Sequence, residues 1–306
     1  MSRPLVLFVL ATLAASASAA HVDPSASGPL PVGVTTLTFV DASRGRTLVT
    51  EVWYPAAAAG RDTPPRHGRY PLVLVAHGHC GFRTNYEYLS MALASWGFLV
   101  AAPDFPGFNK ADCDAGVPEG DIIGDPPRDL SFLRAAFHER SSPAGPLVLS
   151  VRGRRAGLAG HSLGGAAVVN ASLQDPSLTA VVALAPLAGT AQGQAFDGLQ
   201  PRRAVLVVGG SADTTLPFGA TAVPFFEALS PPAFLVKIIG GTHSGFTDMD
   251  SRLTPEQLAR QQELTRRYAT AFLGRYLAHD GRFRRFLTAE DAALQGSDVE
   301  LTARPH

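Results

Sequence analysis

A serine inside a glycine-bounded motif is the first residue of this sequence that could do covalent chemistry. Residues 160–164 read Gly-His-Ser-Leu-Gly, a G-x-S-x-G pattern that follows a short apolar strand and precedes the small residues at 165–169. Such a pattern places the serine in a sharp strand-to-helix turn, because a Cβ atom at either glycine would collide with the neighbouring strand or helix. The following helix offers free N–H groups and the positive end of its dipole. Ser162 is therefore predicted to be a nucleophile.

A serine hydroxyl needs a base and a carboxylate that orients this base, and two downstream residues fit these roles. Asp213 follows the apolar strand at 204–208, and His243 follows the one at 234–239. The chain order serine, acid, histidine, with each residue one loop past a strand, is the order expected around a G-x-S-x-G serine. Asp213 and His243 are predicted to complete a catalytic triad with Ser162.

Backbone N–H groups could hold the negative charge that develops on an attacked carbonyl oxygen. Such an oxyanion hole takes one donor from the residue after the nucleophile and one from the loop after the third strand. The amides of Leu163 and His79 occupy these two places, and Gly78 lets the loop turn back toward the serine. The two remaining histidines nearby are predicted to be structural, His77 as a loop anchor and His161 as a pocket-wall or packing residue.

Alternating strands and helices must position these residues. Apolar runs typical of buried parallel strands recur between helical patterns and turns rich in glycine and proline. The first two strands, 31–40 and 47–55, are predicted to form an antiparallel hairpin at the sheet edge. The sequence thus predicts one α/β domain over 21–306, a mostly parallel sheet with helices on both faces, and no particular structure from Gly281 onward. Further strands are predicted at 70–76, 98–102, 156–159, 180–184, 204–208 and 234–239, and helices at 85–96, 128–140 and 255–277.

The charge balance argues against polyanionic partners. The 306 residues include 26 Lys+Arg and 26 Asp+Glu, so the formal net charge is zero and only 17% of residues are charged. A neutral, charge-poor chain lacks the basic surface that nucleic acid or an anionic membrane requires, and its arginines are scattered along the sequence. With 46% hydrophobic residues, the chain is too apolar for intrinsic disorder. No nucleic-acid partner, cofactor or metal is predicted.

Residues 1–20 have the layout of an export signal. Arg3 precedes an apolar run at 5–13, and small residues follow, which fits cleavage that leaves Ala20 or His21 as the first residue. The run is too short to span a membrane. The sequence therefore predicts a secreted or periplasmic protein without a transmembrane segment in its mature chain.

The cysteine inventory consists of Cys80 and Cys113. Each lies in a loop past a central strand of the predicted sheet, and an oxidising compartment would allow them to pair. We hypothesise a disulfide that pins the oxyanion loop, and two free thiols are the alternative.

Longer stretches around these residues carry two resemblances. One rests on His77-Gly78, 81–86 (GFRTNY), 93–98 (LASWGF) and 243–248 (HSGFTD), and the other on 160–162 (GHS) and 212–214 (ADT). Through the first, the chain resembles the secreted α/β-hydrolases grouped with platelet-activating-factor acetylhydrolases and the predicted dienelactone hydrolases. Through the second it resembles, more distantly, the polyester-cleaving cutinase-like enzymes. The resemblance spans 70–250 and implies an α/β-hydrolase fold in which Ser162 attacks an acyl carbonyl.

Three functions are compatible with the sequence. The leading hypothesis is an exported serine hydrolase that cleaves carboxylic esters, small-molecule, lipid or polymer, through an acyl-enzyme intermediate. The second is a lipase-like or phospholipase A2-like enzyme, or a cutinase-like polyester hydrolase, with an open apolar cleft. The third is a non-catalytic secreted binding protein, which has no need of a complete triad and oxyanion hole. Candidate rim or packing residues of an apolar cleft are Phe82, Phe105, Phe108, Phe218 and Phe246.

Overall fold

The strand order of the central sheet determines where the predicted site residues lie. A computed structural model describes residues 22–121, 123–187 and 203–305. The predicted export signal at 1–20 lies outside these residues. The strands are β1 (Val32–Asp41), β2 (Arg46–Pro55), β3 (Gly60–Arg61), β4 (Tyr70–Ala76), β5 (Leu99–Pro103), β6 (Val151–His161), β7 (Leu178–Leu184), β8 (Ala204–Gly210), β9 (Ala233–Ile238) and β10 (Val299–Arg304).

These strands form one mixed sheet in the order β10-β9-β8-β7-β6-β4-β5-β2-β1-β3. The six central strands, from β9 to β5, are parallel to one another, whereas β10 and β2 add antiparallel neighbours at the two sides. The hairpin of β1 and β2 is antiparallel, as predicted. Because parallel strands end at the same edge, the loops after β4, β6, β8 and β9 meet there.

Helices cover both faces of the sheet, which confirms the predicted fold class. Side chains alternate between the faces of a strand. In β4, Leu72 and Leu74 belong to the hydrophobic cluster on one face of the sheet, whereas Val73 and Val75 belong to the cluster on the other face. The helices are α1 (Glu87–Ser95), α2 (Lys110–Asp114), α3 (Asp125–Ala136), α4 (Leu163–Gln174), α5 (Ala222–Glu227), α6 (Pro255–Tyr276) and α7 (Ala289–Leu294). No helix among the described residues combines the length and apolarity needed to cross a bilayer.

The structure contains β3, α2 and α5, which the sequence patterns do not predict, and it departs from the predicted elements at three further places. β6 begins at Val151, five residues early, because its first half is exposed and carries no apolar run. α3 begins and ends earlier than 128–140, with Pro126 and Pro127 in its first turn, where the missing N–H groups cost nothing. The tail forms α7 and β10, which pairs with β9. β10 is an edge strand that buries only its first residue, so its sequence is polar.

Candidate active site

Ser162 occupies the sharp turn between β6 and α4. Its φ and ψ are 57° and −120°, a left-handed conformation that is strained for a side chain with a Cβ atom. A Cβ atom at Gly160 would lie 2.2 Å from the carbonyl oxygen of Gly164, and one at Gly164 would lie 2.3 Å from that of Ala76. Both glycines of the motif are therefore required by backbone that passes beside them, for the reason the sequence suggested.

Asp213 and His243, one loop past β8 and β9, are hydrogen-bonded to each other. The distance from Nδ1 of His243 to Oδ2 of Asp213 is 2.8 Å, and both residues are buried. The other carboxylate oxygen, Oδ1, accepts the backbone N–H groups of Thr215 at 2.9 Å and Leu216 at 2.7 Å. These donors fix the carboxylate. The bond at Nδ1 leaves Nε2 of His243 as the nitrogen that can take a proton.

A second network holds the loop that carries His243. The side-chain amide of Gln261, on α6, accepts the N–H of Thr242 at 3.0 Å and donates to its carbonyl oxygen at 2.9 Å. The hydroxyl of Thr242 donates to Asp250 at 2.6 Å and accepts the N–H of Gly245 at 3.1 Å. Thr242, the residue before His243, is thus hydrogen-bonded through both its backbone and its side chain. No sequence motif marks this network.

The oxyanion loop after β4 passes directly beside the serine. A Cβ atom at Gly78 would lie 3.2 Å from Cβ of Ser162 and 3.3 Å from Nδ1 of His161. The two amides predicted to hold the oxyanion, those of His79 and Leu163, donate to no acceptor within the described part of the chain. Leu163 is the first residue of α4, where an N–H group has no partner inside its own helix.

His77 anchors this loop through both ring nitrogens. Its Nε2 accepts the N–H of Phe105 at 3.0 Å, and its Nδ1 donates to the carbonyl oxygen of Gly78 at 2.7 Å. Burial lowers the pKa of His77 to about 4, so the ring is neutral at pH 7. These contacts fit the structural role predicted for His77.

Tyr86 joins the oxyanion loop to the residue before the nucleophile. Its hydroxyl accepts the N–H of Gly78 at 3.2 Å and lies 2.9 Å from Nδ1 of His161. The hydroxyl donates to His161, because Nδ1 of this residue is the only acceptor within hydrogen-bond distance of its proton among the described residues. Burial and the nearby charge of His243 lower the pKa of His161 to about 3, which keeps this acceptor unprotonated. The rings of His161 and His243 are packed with centroids 4.5 Å apart.

A disulfide connects Cys80 and Cys113, which confirms the hypothesis of a bridge at the oxyanion loop. The same loop is held to the segment after β5 by the N–H of Cys80, which donates to the carbonyl oxygen of Phe108 at 2.9 Å. The ring of His79 is 2.6 Å from a carboxylate oxygen of Glu119. Both sulfurs next to His79 are bonded to each other, so this group offers no thiolate to a metal.

The five phenylalanines assigned to candidate rim loops divide into two groups. Phe105, Phe108 and Phe246 are fully buried, so they are core residues and not part of a cleft rim. Phe82 and Phe218 are partly exposed. The packing alternative is therefore correct for three of the five. Only Phe82 and Phe218 remain as candidate rim residues of an apolar cleft.

Comparison with known proteins places this chain in a family. Residues 17–303 match the family described as PET hydrolase-like. The bis(hydroxyethyl) terephthalate hydrolase of Streptomyces coelicolor is 27% identical over 297 residues, which cover 92% of this chain and 82% of the relative. A cutinase of Thermobifida fusca is 25% identical over 290 residues, 92% of this chain and 84% of that protein. Cutinase est1 of Thermobifida alba is 24% identical over 299 residues, 93% and 88% of the two chains.

These relatives correspond to the more distant of the two resemblances, that to cutinase-like polyester hydrolases. The grouping with platelet-activating-factor acetylhydrolases and dienelactone hydrolases is not shown by these matches. The names of the relatives agree with the enzyme class predicted from the sequence, a carboxylic ester hydrolase. Because the family match extends over nearly the whole chain, the chain belongs to the PET hydrolase-like family.

Proposed function

We propose that the chain is an exported serine hydrolase that cleaves carboxylic esters, with Ser162, His243 and Asp213 as its triad. The observation that carries the proposal is the buried bond between Asp213 and His243, which lies at the same edge of the sheet as the strained serine turn. A non-catalytic binding protein would have no use for a nucleophile turn, an oriented imidazole and two free amides together.

The reaction follows from these positions. Nε2 of His243 takes the proton of Ser162 as Oγ attacks the ester carbonyl, and the imidazolium that forms is stabilised by Asp213. The oxyanion of the tetrahedral intermediate accepts the N–H groups of Leu163 and His79. The intermediate collapses, His243 protonates the departing alcohol, and an acyl group remains on Ser162. Water, activated by His243, then releases the carboxylic acid.

The proposed substrates are neutral esters of the kind that polyesters contain. Support comes from the relatives, which are named for bis(hydroxyethyl) terephthalate and cutin hydrolysis and cover more than nine tenths of this chain. A low-molecular-weight diester such as bis(hydroxyethyl) terephthalate and a polyester film are therefore the substrates to try first. Export through cleavage at Ala20 or His21 is part of the proposal, and the N-terminal sequence of protein recovered outside the cytoplasm tests it.

Fluorophosphonate labelling tests the reaction class. We expect stoichiometric labelling of the wild-type protein and none of the Ser162→Ala variant. Absence of labelling in both would support the binding-protein alternative. A series of nitrophenyl esters, run beside bis(hydroxyethyl) terephthalate, an acetyl-glycerophospholipid and a polyester film, tests the substrate class. A preference for the phospholipid over the terephthalate ester would favour the lipase-like alternative.

A further inference from the structure

Six arginines meet at the end of the sheet opposite the candidate active site. The site residues follow the carboxyl ends of the parallel strands, whereas three of the arginines lie in the first half of β6, Arg203 lies just before β8, and Arg275 lies near the end of α6. We call this group the arginine pole. Its members are Arg152, Arg154, Arg155, Arg203, Arg275 and Arg284.

The arginine pole lines three adjoining clefts. The largest, about 400 Å³, is lined by Arg155, Arg203 and Tyr276 among others. A second, about 340 Å³, shares Arg155 with the first and adds Arg152 and Arg154. The third, about 320 Å³, shares Tyr276 with the first and adds Arg275 and Arg284. The three clefts therefore adjoin one another, and each is lined by at least two arginines.

The charge of the arginine pole is not balanced from within the described chain. None of its six members forms an ion pair with a described carboxylate, whereas ten of the sixteen other described arginines do. Asp175, which is near Arg203, is bonded to Arg134 instead. Burial lowers the pKa of Arg203, and the negative charge of Asp175 offsets part of this effect. The guanidinium groups of the arginine pole therefore lie together without an ion-paired carboxylate among the described residues.

We propose that the arginine pole binds a linear phosphate polymer. A guanidinium fork matches the oxygens of a phosphate group, and several forks along joined clefts match successive phosphates of one chain better than a single small anion. The arginines line concave clefts, which suits a polymer strand more than a flat bilayer. Because the arginine pole lies at the opposite end of the sheet from the candidate active site, a bound polymer would leave that site accessible to ester substrates.

Linear inorganic polyphosphate is the probe for this proposal. We expect the full exported chain to bind polyphosphate in about 50 mM salt. The logarithm of the binding constant should fall linearly as the logarithm of the salt concentration rises. Polyglutamate should bind at least about tenfold more weakly, because its charges lie at the ends of flexible side chains that must be ordered on binding, whereas those of polyphosphate lie on the backbone itself. Stronger binding to phosphatidylglycerol vesicles than to polyphosphate, or equal binding of polyglutamate, would overturn the proposal.

Two charge-matched double variants locate the binding. Arg152→Gln with Arg154→Gln removes two exposed members of the arginine pole, and we expect about tenfold weaker binding or more and a salt slope reduced by about one to two. Lys110→Gln with Arg128→Gln removes two exposed charges that form ion pairs elsewhere, and it should bind as the wild type does. Both variants should retain nitrophenyl esterase activity, which shows that they fold. An equal loss in both would mean that only total charge matters, and the arginine pole would be rejected.

Discussion

The two sides of Ser162 are held in different ways. On the oxyanion side, Tyr86, neutral histidines and a disulfide fix a loop that offers backbone N–H groups. On the base side, carboxylates are bonded to His243 and to the residue before it. In the proposed reaction, the difference matches the charge that develops on each side. Oriented N–H donors can hold an oxyanion without a charge of their own, whereas an imidazolium is stabilised by a negative charge beside it.

The same contrast explains the protonation states that the fold imposes. Burial keeps His77 and His161 neutral, with pKa values of about 4 and 3, so no positive charge develops behind the oxyanion loop. On the base side burial opposes the charge of Asp250, but hydrogen bonds from Arg252 and Thr242 lower its pKa to about 2. The oxyanion side thus depends on histidines that stay neutral, and the base side depends on carboxyl groups that stay ionised.

The largest effect is expected from the charge on the base side. In Asp213→Asn, the amide oxygen can keep the two backbone donors of Thr215 and Leu216, which turns the NH₂ group toward His243. The imidazole must then carry its proton on Nε2, where it cannot act as a base. We expect kcat on a nitrophenyl ester to fall about 10⁴-fold, with the melting temperature little changed. A loss smaller than about tenfold would show that the base does not depend on this carboxylate.

Removal of the covalent link should mainly affect stability. The disulfide closes a loop between residues 33 positions apart, which in the chain-entropy account stabilises the fold by about 3 to 4 kcal/mol. We therefore expect Cys80→Ser with Cys113→Ser to lower the free energy of unfolding by about that amount in urea titrations. The change in kcat should be several-fold at most, since His77 and Tyr86 still hold the loop. If kcat collapsed while stability stayed the same, the bridge would serve loop position instead of stability.

Acid should weaken the oxyanion side first. Between pH 6.5 and about 4, the folded protein binds fewer protons at His77 and His161 than the unfolded chain does, because both folded pKa values are lowered. Stability is therefore complete above pH 6.5 and is lost as pH falls through this window. From pH 6.5 to 5, one such histidine accounts for about 2 kcal/mol.

Urea titrations of the wild type and of His77→Asn at pH 7, 6 and 5 measure this contribution. The variant should be less stable at pH 7 but show a shallower decline toward pH 5. Parallel declines in the two proteins would mean that His77 is not neutral in the fold. Asp250, whose pKa is about 2, should contribute nothing to the decline in this range.

The sequence was sufficient for the elements that depend on local pattern. Continuous apolar runs identified the central strands, and the glycines around Ser162 predicted its turn because their requirement is steric and local. The order of Asp213 and His243 then followed from the rule that parallel strands end at one edge. The hydrogen bond between Asp213 and His243 agrees with that reasoning.

Contacts between distant segments could not be predicted from the sequence, because no periodicity or motif marks them. Tyr86 is one aromatic residue before a helix, and its partner His161 is 75 positions away. Gln261 has the polarity of a solvent-exposed helix position, yet it is buried against Thr242. The arginines that look scattered along the chain come together only when β6, β8 and α6 are aligned. The net charge of the chain could not reveal this clustering of arginines.

The smallest effect expected here comes from one hydroxyl group on the oxyanion side. Tyr86→Phe would leave the N–H of Gly78 without its acceptor and Nδ1 of His161 without its donor, so the loop could shift relative to Ser162. We expect kcat to fall about tenfold with KM nearly unchanged, because the oxyanion forms only after substrate is bound. Tyr54→Phe is the matched control. It removes a buried hydroxyl that donates to Thr63 at 2.8 Å in the hairpin region, and it should cost comparable stability but leave kcat unchanged. If both variants lost activity in proportion to stability, Tyr86 would be an ordinary packing residue and the two sides of the serine would differ only in their charges.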